Sequence, residues 1–253
     1  MNAFADMAWP AIRDKLAGGE PVAAILPCGA VEAHGPHLPL NTDIIISEGV
    51  AARAAKALSG EGVAATVLPP LAYAPAEYAA AFPGTISVAP ATARALLIDI
   101  ARSLKAQGFA CLALANSHFD PANVAMLRDA AVEIGVLGLP VAFPDFTRRA
   151  LAATLTEEFR SGACHAGQFE TSLVMAARPD LVDDKARAAL PDNPSSLTES
   201  FKKGATTFAE AGGPDAYFGF PRNASAEEGH KSFAIMAAAL ADAVKAALAP
   251  SRS

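Results

Sequence analysis

Four of the five histidines fall in three short segments that also carry carboxylates: PCGAVEAHGPHLPLNTD (27–43), NSHFD (116–120) and CHAGQFETS (164–172). Glu32 and His34 are two residues apart, as are His118 and Asp120. In extended chain that spacing turns both side chains to one side, so a carboxylate and an imidazole face one target. Asp43 stands where a helix should begin and could bridge toward the same point. Three carboxylates and two imidazoles gathered on one edge repel one another or shift their pKa values strongly unless cations lie between them. Two divalent ions bring four positive charges against three negative ones. That balance suits a two-metal hydrolytic centre, whose ions lie roughly 3.5 to 4 Å apart, activate a water and polarise a carbonyl. Mixed oxygen and nitrogen donors favour Zn, Mn, Fe or Co over Mg or Ca.

His165 and Glu170 make the third segment. Amide cleavage needs a proton on the departing nitrogen, and imidazole titrates near neutral pH, so His165 is the candidate proton carrier. Glu170 either binds metal or orients His165. Each residue also has a plainer reading. A single loop histidine is more often a hydrogen-bonded turn residue than a ligand, and Asp43, after Asn41 and Thr42, could simply cap a helix. Glu32 and Asp120 could be solvated acids. The recurrence of ligand types at strand ends favours the metal reading. His37 reads as supporting or structural, and His230 as a surface or subunit-contact residue. Cys164 beside His165 raises a thiol-nucleophile alternative, but adjacent residues rarely face one another.

The elements that must position these groups are legible. VAAILPC (22–28), VAATVLP (63–69), ACLALAN (110–116) and LPVAFP (139–144) read as buried strands. Between them DIIISEGVAARAAKAL, ATARALLIDIARSLKAQG and PANVAMLRDAAVEIG repeat apolar residues at helical spacing, with Gly108 and Gly135 as stops. A last helix covers SAEEGHKSFAIMAAALADAVKAALA, with Ser225 and Glu228 as a capping box. Strand and helix in alternation predict an α/β fold, a mainly parallel sheet with helices on both faces. The first two polar segments directly follow strands, and open parallel sheets bind ligands at the carboxyl ends of their strands. Residues 191–224, rich in Pro, Gly, Ser and Asn, form a long excursion of the kind used as a lid or subunit contact.

Composition narrows the partners. With 253 residues, 52% hydrophobic, the chain suits a single domain spanning 1–253. A net charge of −6 leaves no basic field for nucleic acid or an anionic membrane, so a small-molecule substrate is expected. No uncharged apolar run reaches spanning length, and the first residues lack the apolar core of a signal peptide. Cys28, Cys111 and Cys164 are odd in number and scattered. A reducing, cytoplasmic location without disulfides follows as the expectation.

The stretch LPCGAVEAHGPHLPLNTD resembles the signature of the creatininase family, and PGTISVAP, LANSHFDPAN and HAGQFETSLVMAARPDLV follow in that family's order. The resemblance implies a three-layer α/β/α sandwich, a binuclear metal centre and hydrolysis of an amide, lactam or formamide C–N bond. It also implies a homo-oligomer, commonly a hexamer. Carried over by motif, Glu32, Asp43 and His118 correspond to ligands of one metal. His34, Asp43 and Asp120 correspond to ligands of the other, with Asp43 bridging and His165 catalytic. Related chemistry in the family includes maturation of a peptide-derived redox cofactor.

This chain departs from the pattern in two places. Many relatives read Asn-Gly-His-Gly-Gly-Asn where it has Asn116-Ser117-His118-Phe119-Asp120-Pro121. Creatininases proper carry Glu two residues past the histidine, and Asp120 is one methylene shorter. They also hold the flat creatinine ring with tryptophans, whereas the only tryptophan here is Trp9. Creatinine is therefore not the favoured substrate, and Phe143, Phe146, Phe159 and Phe169 are candidates to line a different pocket.

Overall fold

The computed structural model describes residues 4–162 and 164–249. Four strands, β1 (Val22–Cys28), β2 (Ala64–Val67), β3 (Cys111–Asn116) and β4 (Val141–Ala142), form one parallel sheet in the order β2-β1-β3-β4. The central strands are buried on both faces, which is why they read as unbroken apolar runs. Alternation still sorts their side chains. Ala23, Ile25, Cys111 and Ala113 face one core cluster; Val22, Ala24, Leu26, Leu112 and Leu114 face another.

Ten α-helices connect and cover the sheet among the described residues: α1 (Trp9–Ala17), α2 (Thr42–Ser59), α3 (Pro90–Gln107), α4 (Pro121–Val136), α5 (Arg149–Ala152), α6 (Glu157–Ser161), α7 (Gln168–Ala177), α8 (Asp184–Ala189), α9 (Leu197–Lys202) and α10 (Ala226–Leu248). α2, α7 and α10 pack together over the first cluster, and α3 packs on α4 over the second. The result is the expected three-layer α/β/α sandwich.

The chain leaves β1 through α2 toward β2 on one side, and leaves β3 through α4 toward β4 on the other. The gap between the carboxyl ends of β1 and β3 is thus the topological switch point, where such sheets bind ligands. Cys28 pairs with Asn116 at that edge, so the segments 27–43 and 116–120 start side by side.

Several boundaries differ from the sequence reading. β2 and β4 are shorter than the apolar runs that suggest them. Gly108 stops α3 in a left-handed conformation as expected, but α4 runs through Gly135, and the backbone reverses at Gly138 instead. Only half of the capping box forms. Ser225 accepts from the Glu228 N–H, while the Glu228 carboxylate turns to Gln168 and Ser172 of α7 and ties the two helices together.

The excursion 191–224 is closed at its base by Asn193 and Gly219, which exchange both backbone hydrogen bonds. It carries α9 and a small core of its own, in which Leu197, Phe208, Ala211 and Phe218 pack with Tyr78 and Phe82.

Candidate metal centre

Asp43 reaches the switch point because α2 begins almost in contact with the end of β1. A Cβ on Gly29 would lie 2.8 Å from the Asp43 Cβ and 2.9 Å from the Ile44 nitrogen, so only glycine admits this approach. The Ala30 N–H donates to Asp43 Oδ2 at 3.2 Å, and Ser117 Oγ donates to the Asp43 carbonyl at 2.6 Å. That last bond pins the first turn of α2 to the end of β3. The His118 loop is braced by Asn116 and Asn123, whose Nδ2 groups both donate to the His118 carbonyl.

Around Asp43 the side chains form two triads of potential donor atoms, Glu32–Asp43–His118 and His34–Asp43–Glu170, all buried. A third grouping joins Glu32, His34 and His165. His118 Nδ1 lies 3.0 Å from Asp43 Oδ2 and 3.2 Å from Glu32 Oε1. His34 Nε2 lies 3.3 Å from Asp43 Oδ1, 3.6 Å from Glu170 Oε2 and 3.8 Å from Glu32 Oε1.

The other ring nitrogens decide what these contacts mean. His118 Nε2 is 2.7 Å from the Pro75 carbonyl, and His34 Nδ1 is 3.1 Å from the Glu32 carbonyl. A carbonyl only accepts, so those nitrogens carry the hydrogens. In the neutral rings, His118 Nδ1 and His34 Nε2 then present lone pairs to carboxylate oxygens. Lone pair facing lone pair in a dry pocket calls for positive charge between them, a metal ion when one is bound and otherwise the proton that Asp43 and Glu32 help both rings to hold. A backbone carbonyl behind the imidazole is the usual support of a metal-binding histidine. His34 Nε2 has no hydrogen-bond partner although fully buried. When all three are ionised, Glu32, Asp43 and Glu170 bring three negative charges, one fewer than the positive charges of two divalent ions.

Titration follows the same geometry. Burial alone would lower the His34 pKa, but Asp43, Glu170 and Glu32 outweigh it and raise it to about 10. Asp43 is held below the ordinary carboxylate range despite its burial, by His34 and His118. Burial pushes Glu170 up to about 8, with Asp43 and Glu32 adding to the rise and His34 opposing it. His165 moves the other way, to about 4, through burial and the neighbouring His34.

His165 closes the site from above. Its ring lies between His34 and Phe208, 4.3 Å from each by centroids. Nε2 is 2.9 Å from the Ala33 carbonyl, and Nδ1 is 3.8 Å from Glu32 Oε1. The next residue, Ala166, has φ of 50°, a left-handed conformation that costs about 1–3 kcal/mol in a non-glycine residue. It is held there because its N–H donates to Glu170 Oε2 at 2.7 Å and the His165 carbonyl accepts from the Phe218 N–H at 2.7 Å. The strained turn fixes His165 and Glu170 relative to each other.

Asp120 lies at the edge of this cluster, outside all three donor groups. Its Oδ1 caps α4, accepting from the Ala122 and Asn123 N–H groups, while its buried Oδ2 has no partner. Glu170 stands where the sequence comparison put Asp120, beside His34 and Asp43. His37 points away from the donors, and its Nε2 is 2.9 Å from Thr171 Oγ1. His230 is exposed on α10. The Cys164 thiol is pushed well above its ordinary pKa by burial, with Glu170 and Glu158 adding to the effect, which disfavours a thiolate nucleophile. All three cysteines are free.

Two of the four aromatic candidates need correcting. Phe169 belongs to the core and Phe143 packs against the second core cluster, while Phe146 and Phe159 line a neighbouring cavity. The small space at the centre, about 60 Å³, is walled instead by Tyr78, Phe119, Phe201 and Phe208. Two of these come from the excursion, whose length and composition were the only advance sign of a lid.

An α/β sandwich with imidazoles and carboxylates interleaved at its switch point is built as metal-binding hydrolases are. Residues 5–244 match the creatininase (creatinine amidohydrolase) family, and the chain belongs to that family. It is 30% identical over 231 residues to the mycofactocin precursor peptide peptidase of Mycolicibacterium smegmatis, covering 87% of this chain and 83% of that one. It is 31% identical over 196 residues to the creatinine amidohydrolase of Pseudomonas putida, covering 70% and 72%. The crystal structure of a creatinine amidohydrolase superposes with a TM-score of 0.76 at 27% identity, covering 98% of both chains. Creatininase structures in Mn and Zn–Zn forms, each 26% identical with a TM-score of 0.72, align over 98% and 99% of this chain and 98% and 100% of theirs.

Proposed function

We propose that the protein is a metal-dependent amidohydrolase that cleaves a C–N amide, lactam or formamide bond in a small molecule. Glu32, Asp43 and His118 would hold one divalent ion and His34, Asp43 and Glu170 the other, with Asp43 shared. Zn, Mn or Fe suits this donor set. Two such ions, when bound, supply Lewis acidity to the substrate carbonyl and lower the pKa of water.

The chain's own residues supply the rest. With its Nε2 hydrogen committed to Ala33, His165 turns an unprotonated Nδ1 toward the centre. It can accept a proton there and pass it to the departing nitrogen, and its depressed pKa favours release. Glu32, next to Nδ1, stabilises the transient imidazolium. Phe208 and Tyr78 keep bulk water from the reacting atoms.

The observation that carries this reading is the pair of imidazole lone pairs aimed at carboxylates around Asp43. To test it, protein purified without chelator is analysed for metal and assayed on lactams, formamides and short peptides, beside His165→Ala. About two ions per chain are expected. Turnover should fall by roughly 10²–10⁴-fold in the variant while its metal content stays the same. Bound metal with no turnover on the whole panel would favour a non-catalytic metal-binding or assembly subunit. The likeness to a precursor peptide peptidase supports a second reading, cleavage of a peptide amide, which preferred turnover of the peptide members of the panel would establish.

A further inference from the structure

The space at the centre, about 60 Å³, is too small for anything beyond the scissile group. Next to it lies a cavity of about 480 Å³, within the range of small-molecule sites. The two share Phe119, Cys164, Leu197 and Phe201, so they meet at these side chains. Phe146 and Phe159 add to the apolar wall of the larger one, and its only charged lining residues are Arg160 and Lys202. In a chain of net charge −6, a cavity whose lining charge is all positive is a local reversal. Lys202 pairs with Glu199 at 2.7 Å, but both side chains are more than half exposed. Such a surface pair is worth at most about 1 kcal/mol and yields to a competing anion.

We propose that this cavity is the specificity subsite, taking the non-reacting limb of an amide substrate that carries a bulky aryl or branched apolar group ending in a carboxylate. The assignment rests on the amidohydrolase reading of the centre. Apolar bulk fills the space between Phe119, Phe146, Phe159 and Phe201, and the carboxylate meets Arg160 and Lys202 at the rim. The centre itself then needs to recognise only the amide, which accounts for its small volume.

Two measurements on the metal-loaded protein test the assignment. The first is calorimetric titration with 4-phenylbutanoate. Binding is expected, weakening at least tenfold in the double variant Arg160→Glu/Lys202→Glu, whose exposed positions tolerate charge reversal. Binding equal in both proteins would put the carboxylate on the metals, and no binding would leave the cavity without its ligand; either result overturns the proposal. The second compares two amides with the same scissile bond and a phenylalkyl limb, one ending in carboxylate and one in carboxamide. The double variant should lower the kcat/KM ratio of the first to the second at least tenfold, and an unchanged ratio overturns the proposal. If no amide turns over at all, the reading of the centre fails separately, and the titration still decides the subsite.

Discussion

The floor of the site and its wall are built on different principles. The floor comes from the ends of β1 and β3 and the first turn of α2, elements held by the sheet ladder and by close backbone approach at Gly29. Its polar groups are all buried and cross-braced. The wall is contributed largely by the excursion 191–224, whose ends meet at Asn193 and Gly219. It packs around its own few aromatic residues and touches the site through the Phe218 N–H on His165 and the Ala216 carbonyl on Gly35. A rigid floor holds its polar groups in fixed relation, while a wall with a small core of its own can change its outer lining with little effect on them. Such a division lets one centre be paired with different substrate pockets.

The most severe way to break the floor is to remove the group both triads share. Asp43→Asn keeps the size and the acceptor toward Ala30 but takes one negative charge from each triad. Turnover should fall by at least about 10³-fold, since losing a supporting partner alone costs about 10–100-fold in metal affinity or activity. Metal content per chain should drop in the same sample. If Asp43→Asn retained both ions, the shared-ligand arrangement would be wrong and the floor would be a hydrogen-bonded core cluster instead.

How much of this could be read from sequence follows the same division. The grouping of Glu32, His34, Asp43 and His118 is legible because strand ends and a helix start are marked in the sequence, and the topology of a parallel sheet brings such points together. Glu170 was seen but not placed. Its position depends on α7 packing against α2 and α10 and on the left-handed turn at Ala166, which no local pattern announces. Asp120 shows the converse: a carboxylate at the family's spacing after His118, one of whose oxygens is taken by the start of α4 for capping while the other is left buried without a partner. The aromatic wall was misassigned because Tyr78, Phe201 and Phe208 meet only through the long excursion, while Phe143 and Phe169, nearer the polar motifs in sequence, are consumed by the core.

A second prediction concerns the joint between floor and wall. Glu158, on α6 and only 6% exposed, accepts from three backbone N–H groups: Gln168 and Phe169 at the start of α7, and Phe220 at the end of the excursion. Burial raises its pKa to about 7, against the pull of those three donors and with Glu228 adding to the rise. A carboxyl raised in the folded state contributes stability that is complete below the unfolded value, near 4.5, and is lost as pH climbs through 7. The loss amounts to about 3 kcal/mol for a shift of this size. In Glu158→Gln this component is absent. Urea denaturation of both proteins from pH 4.5 to 8 should therefore show the variant's deficit shrinking as pH rises, other titrating groups cancelling in the difference. A constant deficit would mean that Glu158 titrates normally and that the joint is insensitive to its charge.

The smallest effect separates the wall from the core directly. Phe201 is half-buried on α9, with its ring 4.0 Å from Tyr78, whereas Phe169, 1% exposed, fills the core beneath α7. Phe201→Ala should cost about 0.5–1.5 kcal/mol, the worth of an aromatic pair, and Phe169→Ala about 3–5 kcal/mol, the worth of a fully buried ring. Metal content should be unchanged in Phe201→Ala, because no donor atom leans on that ring, and KM should rise for aryl amides more than for small ones. Denaturation midpoints and metal analysis on the two variants check both halves. Should Phe201→Ala destabilise the protein as much as Phe169→Ala, the excursion would be continuous with the main core, and the independence of wall from floor would not hold.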